Sequence, residues 1–281
     1  MKLMKKTKLA LLVMLTTGAV ACNEQAATTK TPATEPMTMQ IKEEAVSYTA
    51  SDGATLKGWL AYDSANKDKR PVVLVVPEWW GLNDYAKSRA KQLAELGYVA
   101  MAVDFYGDGA QAANPEEAGK MAMPFYSNPA MAAARFNAAL AKVKTVALAD
   151  TNQVAAIGYC FGGAQVLNMA RMGSPLKGVV SFHGNLIGVP ADKNLLTAKI
   201  LVCQGEADQF VPATEVAQFK KQMDSIAADY TFKSYANATH SFTNPEATEI
   251  GKKFSMPVSY NAAADTASWN DMKLFFGKIF K

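Results

Sequence analysis

The sequence contains few residues that bind metals or form disulfides: two histidines and three cysteines in 281 residues. A C-x-x-C pair, which would indicate a dithiol redox site, does not occur. The two histidines lie far apart in the chain, which argues against a zinc site. Because no glycine-rich phosphate-binding motif is present either, we expect the protein to work without a metal ion or a cofactor.

An excess of charge is also absent once the first 21 residues are set aside. The whole chain carries 29 Lys and Arg against 25 Asp and Glu, a formal net charge of +4. Lys2, Lys5, Lys6 and Lys8 account for this excess, so the remaining chain carries 25 charges of each sign. A balance near neutrality does not favour a nucleic acid or an anionic surface as a partner.

Residues 1–21 are typical of a signal peptide, with a basic start, the apolar run 9–15 and small residues before Cys22. The apolar run is too short to span a membrane as a helix. Cys22 allows two interpretations, since it is either the lipid-accepting cysteine of a bacterial lipoprotein or the first residue after ordinary cleavage at Ala21. Both predict export. We expect the protein in the bacterial periplasm, with a membrane tether if Cys22 is lipidated.

The residues after the signal peptide have the composition of a flexible linker. Residues 23–36 are rich in Thr, Ala and Pro and show no apolar period, so they cannot bury enough surface to build a core. We therefore expect residues 22–40 to be disordered and a single folded domain, which we expect to be monomeric, to occupy residues 41–281.

The predicted domain begins as a β-hairpin. Two alternating runs, 45–50 and 55–62, flank a Ser-Asp-Gly turn signal at 51–53. The pattern then changes to continuous apolar strands separated by helical stretches, and the run PVVLVVP at 71–77 is typical of a strand buried on both faces. Repeated strand and helix units predict an α/β fold with a mostly parallel central sheet covered by helices on both faces.

Further elements follow from the same periodicities. The patterns predict strands at 98–105, 153–159, 177–184, 199–205 and 230–236, and helices at 84–95, 129–146, 161–172, 214–228 and 260–280. In the last helix we predict inward-facing side chains at Trp269, Leu274, Phe275 and Ile279.

The pentad GYCFG at 158–162 lies between a predicted strand and a predicted helix. This is the nucleophile-elbow pattern, with cysteine in place of the more usual serine. The turn is so tight that the residues two before and two after the nucleophile must lack a Cβ, and Gly158 and Gly162 do. Cys160 would lie at the helix amino terminus, where the macrodipole stabilises a reactive thiolate. The alternative is a buried cysteine in a glycine-rich turn.

Partners for the thiol occur in the chain order that this architecture requires, which is nucleophile, acid, base. Asp208 follows a predicted strand, and His240 lies in a loop beyond the last one. Asp208 would accept the imidazole N–H while the other ring nitrogen takes the thiol proton. Glu206 is the rival carboxylate, which we expect to be solvated, and His183 precedes the acid, so we expect it to be structural. Cysteine, aspartate and histidine in the required order together favour a catalytic Cys160.

The chain resembles the dienelactone hydrolase family of α/β-hydrolases from about residue 45 to its end. Five blocks carry the resemblance, in this order: VVPEWWGLND, AVDFYG, GYCFGG, GEADQFVP and HSF. The resemblance implies the α/β-hydrolase fold and the triad of Cys160, Asp208 and His240. It also implies that Glu78, at the end of the strand before the first long helix, contacts the thiol and helps to control its ionisation.

An oxyanion hole is expected from two backbone N–H groups. Phe161 directly follows the nucleophile, and Trp79 follows the strand that ends at Pro77. Trp79 and Trp80 would also form a wall of the substrate pocket. The site would then stabilise the tetrahedral intermediate of an acyl transfer.

Two departures from the family concern the substrate. Members that act on dienelactone hold its carboxylate with two arginines, and the corresponding positions here read Asp108, two residues after Tyr106, and Asn244, four residues after His240. We expect Tyr106, Asp108 and Asn244 at the pocket. Because an aspartate repels an anion, a neutral ester or lactone is the expected substrate.

The leading interpretation is therefore an exported hydrolase of small carboxylic esters or lactones that works through a thioester on Cys160. An alternative of a different class is an exported thiol redox or sensing protein, in which Cys160 is oxidised reversibly against Cys203. A third is a binding protein on a hydrolase fold, without turnover.

Overall fold

The computed structural model describes residues 38–280 and, upstream of them, Met14. The predicted signal peptide apart from Met14, together with Cys22 and most of the predicted linker, lies outside the described residues. Among the described residues, no helix is long and apolar enough to cross a membrane.

The described chain forms an eight-stranded sheet in the order β1-β2-β4-β3-β5-β6-β7-β8. β1 and β2 form the antiparallel hairpin that the sequence predicts, and β2 runs antiparallel to β4. All pairs from β4 to β8 are parallel. The strands are β1 Ile41–Thr49, β2 Thr55–Asp63, β3 Arg70–Val76, β4 Val99–Ala102, β5 Ala149–Tyr159, β6 Gly178–Phe182, β7 Lys199–Gly205 and β8 Tyr230–Tyr235.

Seven helices in the described chain cover both faces of this sheet. They are α1 Asp84–Glu95, α2 Pro115–Ser127, α3 Pro129–Val143, α4 Phe161–Arg171, α5 Ala213–Ser225, α6 Ala247–Phe254 and α7 Ala262–Ile279. One apolar cluster joins the sheet to α2, α3, α4 and α5, and a second joins it to α1 and α7. The continuous apolar strands follow from this arrangement, since side chains on both faces of a strand are buried.

Helices α2 and α6 have no counterpart among the predicted elements. Pro124 lies inside α2, and a proline within a helical pattern normally ends or kinks the helix. The eight residues of α6 are too few to establish a helical period. Both helices lie next to the site described below, so the sequence patterns were weakest where the cavity is built.

The inward face predicted for the last helix is partly wrong. The buried residues of α7 repeat every four positions, at Ala264, Ser268, Met272 and Phe276, with Ile279 one turn later. Leu274 falls on the opposite side and is 66% exposed. The inward face of α7 was hard to identify from the sequence because the adjacent residues Phe275 and Phe276 both pack on the second apolar cluster.

Candidate active site

The nucleophile elbow lies between β5 and α4. Cys160 has φ 52° and ψ −116°, a conformation that few side chains adopt. A Cβ on Gly158 would lie 2.1 Å from the Gly162 carbonyl oxygen, and one on Gly162 would lie 2.1 Å from the Val76 carbonyl oxygen. Neither backbone contact could relax without moving β3 or α4, so the two glycines allow the turn that presents Cys160 at a helix amino terminus.

Asp208 and His240 form a buried pair. The Asp208 Oδ2 lies 2.9 Å from the His240 Nδ1, and the Asp208 side chain is fully buried. Gln204 donates to the same oxygen at 2.6 Å, and the Phe210 backbone N–H donates to Oδ1 at 2.9 Å. With its oxygens saturated by donors, Asp208 holds the proton of His240 on Nδ1 and leaves Nε2 free for the thiol.

The charge state of His240 is set by competing effects. Burial disfavours the imidazolium, but the negative charge of Cys160, hydrogen bonds to Asp208 and Cys160, and the charge of Asp208 together raise the pKa of His240 well above its ordinary value. His240 and Cys160 line the same cavity. The arrangement therefore favours a protonated imidazole in the cavity that also holds the Cys160 sulfur.

Glu78 is a buried carboxyl at the end of the strand before α1, 2% exposed. Burial raises its pKa, against the opposing effects of hydrogen bonds from Ser241 and Asn244 and of the charges of His240 and Arg89. The Asn244 amide donates to Glu78 Oε2 at 2.7 Å. Glu78 lines the cavity together with Cys160, and its burial there favours the neutral form of the carboxyl group.

The predicted oxyanion donors, Phe161 and Trp79, lie at the start of α4 and in the turn after β3. Phe161 is the first residue of α4, and the first N–H groups of a helix have no partner within it. Trp79 lies in the turn after β3, and its carbonyl accepts a hydrogen bond from the Tyr106 hydroxyl at 2.8 Å. Tyr106 also packs on the ring of Phe161, so one tyrosine supports both segments.

The cavity beside Cys160 has a volume of about 220 Å³, and its lining contains no lysine or arginine. Tyr126 and Asn185 add polar groups at one side and hydrogen-bond to each other at 3.4 Å. The apolar walls come mostly from α6 and the segment after it, and they consist of Trp80, Phe210, Ala247, Ile250, Met256 and Val258.

The structure brings most of the predicted site residues together. Cys160, His240, Glu78, Trp79 and Asn244 all line the cavity, as does the predicted wall residue Trp80. The acid of the predicted triad lies behind the imidazole and away from the cavity surface.

The prediction that Asp108 and Tyr106 line the pocket is corrected by their positions. Asp108 has φ 51°, and its carboxylate lies on the surface, 3.5 Å from the Lys57 ammonium. Tyr106 lies behind Trp79 as its support. Repulsion by Asp108 therefore gives no argument about the charge of the substrate.

His183 connects the nucleophile elbow with the loop that carries His240. Its Nδ1 accepts the Cys160 backbone N–H at 3.1 Å, and its Nε2 lies 2.7 Å from the Thr243 hydroxyl. Its ring packs on that of His240, with centroids 5.2 Å apart. His183 thus holds the elbow against the loop of His240, in agreement with the expected structural role. The sequence feature that indicates this contact is the position of His183 at the end of the strand next to β5.

The protonation state of His183 follows from its surroundings. Burial, and then the positive charge of His240, lower the pKa of His183 well below its ordinary value. In the unfolded chain the imidazole of His183 binds a proton near pH 6.5. Below this pH the unfolded state therefore binds more protons than the native state. The native state then loses stability as the pH falls, by about 1.4 kcal/mol per pH unit for one group.

Replacing His183 by asparagine should remove this contribution, because the asparagine oxygen can still accept the Cys160 N–H and does not titrate. The free energy of unfolding in urea is measured for both proteins at about pH 6 and about pH 5. The difference in this free energy between wild type and His183→Asn should be smaller at the lower pH, by about 1 kcal/mol. A difference that stays the same at both pH values would contradict a neutral His183 in the native state.

The two described cysteines differ in character. Cys160 and Cys203 are both free thiols, and Cys203 is buried, which raises its pKa to about 12. Within residues 38–280, no group of three or more His, Cys, Asp or Glu side chains is arranged to hold a metal ion. Of the two described thiols, Cys160 is the one that lines the cavity beside His240.

The sequence profile of the dienelactone hydrolase family matches residues 56–280 of this chain. The chain belongs to the dienelactone hydrolase family. Its fold is similar to the crystal structure of a dienelactone hydrolase-like promiscuous phosphotriesterase from metagenomic libraries, with a TM-score of 0.80 and 33% sequence identity. That match covers 86% of this chain and 99% of the other.

Two named proteins are similar to this chain over most of their length. The protein usf of Aquifex pyrophilus is 27% identical over 230 residues, which cover 80% of this chain and 94% of that protein. A protein of Aquifex aeolicus named as a candidate carboxymethylenebutenolidase is 29% identical over 206 residues, which cover 71% of this chain and 87% of that protein. The predicted family and the α/β-hydrolase fold are confirmed, and the chain is a hydrolase of the dienelactone hydrolase type. The thiol redox alternative gains no support.

Proposed function

We propose that the protein hydrolyses small uncharged carboxylic esters or lactones, with Cys160 as the nucleophile of a Cys160, His240 and Asp208 triad. One observation carries this proposal. A half-buried thiol at a helix amino terminus shares a cavity with an imidazole whose other nitrogen lies 2.9 Å from a buried carboxylate. These are the parts that nucleophilic acyl transfer requires.

In the first half of the reaction, the Cys160 thiolate attacks the substrate carbonyl carbon. The N–H groups of Trp79 and Phe161 stabilise the oxyanion that forms. The imidazolium of His240 then donates its Nε2 proton to the leaving alkoxide, and the C–O bond breaks to leave a thioester on Cys160. For a lactone, the alkoxide remains attached to the acyl group.

The second half returns the enzyme to its starting state. Neutral His240 removes a proton from a water molecule, which attacks the thioester, and the thiolate leaves as the C–S bond breaks. Asp208 stabilises the imidazolium at each stage without taking its proton. A carboxylic acid is released, and the thiolate and imidazolium are restored.

Glu78 supports this cycle through its charge. A neutral carboxyl beside the thiol adds no negative charge, whereas an ionised one would oppose formation of the thiolate. Asn244 holds Glu78 by its Oε2 at 2.7 Å and, unlike an arginine, does not favour the carboxylate by its charge. The pair thereby helps to control the ionisation of Cys160.

The walls of the cavity define the substrate class. They are largely apolar and contain no lysine or arginine, so an anionic acyl group would lose its hydration without a guanidinium or ammonium group to replace it. Burying an unpaired carboxylate costs several kcal/mol. A neutral acyl group would instead gain from contact with these apolar side chains.

A matched pair of esters tests the substrate class and the proposal together. The 4-nitrophenyl ester of monomethyl succinate is neutral, and the 4-nitrophenyl ester of succinic acid carries one carboxylate on the same acyl chain. We expect kcat/KM to favour the neutral ester by about 100-fold, which corresponds to about 2.7 kcal/mol. Release of nitrophenol at the buffer rate from both esters would contradict the hydrolase proposal, and equal turnover of both would contradict the neutral substrate class.

The proposal includes export to the bacterial periplasm, with residues 1–21 as the signal peptide and lipid on Cys22. The basic, apolar and small-residue segments of the sequence support it. The mass of the protein extracted from membranes tests it, because a diacylglyceryl group on Cys22 adds several hundred daltons to the chain that begins there, and a chain of unmodified mass would contradict the lipid.

A further inference from the structure

A second cavity lies far from the active site in the fold, at the edge of the sheet where the parallel strands begin. Its volume is about 710 Å³, and four of its lining residues are Lys144, Lys177, Lys199 and Lys278. Lys199 is the first residue of β7 and Lys177 directly precedes β6, while Lys144 and Lys278 lie at the carboxyl ends of α3 and α7. We call these four residues the lysine groove.

The lysine groove is a local excess of positive charge in a chain that is otherwise balanced. No aspartate or glutamate lines it. Lys199 has a partner in Asp229 at 2.9 Å, but among the described residues the other three lysines form no ion pair. Lysines at helix carboxyl ends are ordinary, because they complement the helix dipole. That explanation does not extend to Lys199, which begins β7, or to Lys177, which directly precedes β6.

The chain enters the described domain at the same edge. β1 is antiparallel to β2, and β2 is antiparallel to β4, so β1 runs in the direction of the parallel strands. Its first residue, Ile41, pairs with Asp63, whose carbonyl accepts a hydrogen bond from Arg70 at the start of β3. The segment that leads back to Cys22 therefore joins the domain at the edge that carries the lysine groove.

The active-site cavity lies at the opposite edge. Cys160 follows the end of β5, and Glu78 and Asp208 follow the ends of β3 and β7. A surface docked against the lysine groove would leave the mouth of this cavity free for substrate.

We propose that the lysine groove docks the domain on an anionic phospholipid surface, with the active site directed away from the membrane. Phosphate groups of the lipid match the ammonium groups in charge, and each lysine near such a surface strengthens binding about fivefold. This docking is independent of hydrolase activity. It also does not require a lipid on Cys22, although a tether at that position would hold the same edge near the membrane.

The test uses the chain that begins at Asn23, which retains the whole sheet and both apolar clusters and carries neither the signal peptide nor Cys22. Its sedimentation with vesicles is measured for phosphatidylcholine alone and for phosphatidylcholine with about one third phosphatidylglycerol, at low and high salt. We expect binding to the anionic vesicles only, and loss of that binding at high salt because the interaction is screened.

Two variants with four substitutions each locate the binding surface. Lys→Gln at 144, 177, 199 and 278 should weaken binding to the anionic vesicles on the order of 100-fold. The control carries Lys→Gln at 57, 87, 120 and 252, which have the same total charge and form ion pairs elsewhere on the domain. It should change binding less than about threefold.

Three results would overturn the proposal. They are failure of the unsubstituted chain to bind anionic vesicles, equal binding of that chain to both vesicle types, and equal loss of binding in the two variants that carry four substitutions each. The rate of ester hydrolysis in solution, measured for both variants, shows whether each one is folded, since none of the eight lysines lines the active-site cavity.

Discussion

Cys160→Ala should lower ester hydrolysis to the rate of buffer alone, a loss of at least about 10⁴-fold in kcat. Removal of the sulfur leaves His240 and the oxyanion donors without a nucleophile, so no thioester forms. The stability of the fold should change little, because Cys160 is only half buried and its strained conformation at φ 52° is no harder for alanine to adopt. Nitrophenol release from a neutral ester, with thermal unfolding as a check, measures the effect.

The second described cysteine provides the matched control. Cys203 is fully buried on β7 and lies 3.4 Å from the Tyr235 hydroxyl, so a serine at this position finds a hydrogen-bond partner. Cys203→Ser should retain kcat within about threefold. Retained turnover in Cys160→Ala, or an equal loss in both variants, would show that the sulfur of Cys160 is not the nucleophile.

Asp208→Asn should lower kcat by about 10⁴-fold with little change in KM. The Asp208 Oδ2 accepts from both Gln204 and His240 Nδ1, and an asparagine amide cannot accept with both of its groups. The imidazole then loses the interaction that holds its proton on Nδ1 and stabilises its positive charge. The rate of Cys160 alkylation by iodoacetamide should also fall near neutral pH, because the thiolate is less favoured.

Glu206→Gln is the control for Asp208→Asn, since it makes the same chemical change two residues earlier on the same loop. Glu206 is exposed, and we expect its substitution to change kcat less than about threefold. A large loss of kcat in Glu206→Gln with a small loss in Asp208→Asn would show that Glu206, and not Asp208, is the acid of the triad.

The elements of the sheet were predictable because their patterns have a simple physical origin. The run of apolar residues in β3 reflects burial on both faces, and the turn at 51–53 set the hairpin. The elbow was predictable for a steric reason, since the Cβ distances at Gly158 and Gly162 exclude any other residue. These are local constraints that each segment expresses by itself.

The walls of the cavity were not predictable in the same way. α6 is short, and α2 contains a proline, so neither has a clear period, yet Ile250 and Tyr126 from these helices line the cavity. Asp108 was placed at the pocket from its position in the chain, but a left-handed turn directs it to Lys57. Side-chain direction in a loop depends on tertiary contacts that no local pattern encodes.

The role of His183 shows the same limit at closer range. Chain order predicted a structural role for it, but its contacts with the Cys160 backbone and with Thr243 depend on the pairing of β6 with β5. Two histidines in one sequence therefore differ in position: His183 holds the elbow, and His240 lines the cavity, where we propose that it carries the proton. Only the sheet order shows which parts of the chain they join.

The most direct test of the account is to find the acyl group on the enzyme. The protein is mixed with excess of a neutral 4-nitrophenyl ester, quenched in acid within the first turnovers, digested and analysed by mass spectrometry. The account predicts one acyl group on the peptide that contains Cys160, removable by hydroxylamine and absent from Cys160→Ala. An acyl group on a different residue, or turnover with an unmodified Cys160 that stays open to alkylation throughout, would contradict it.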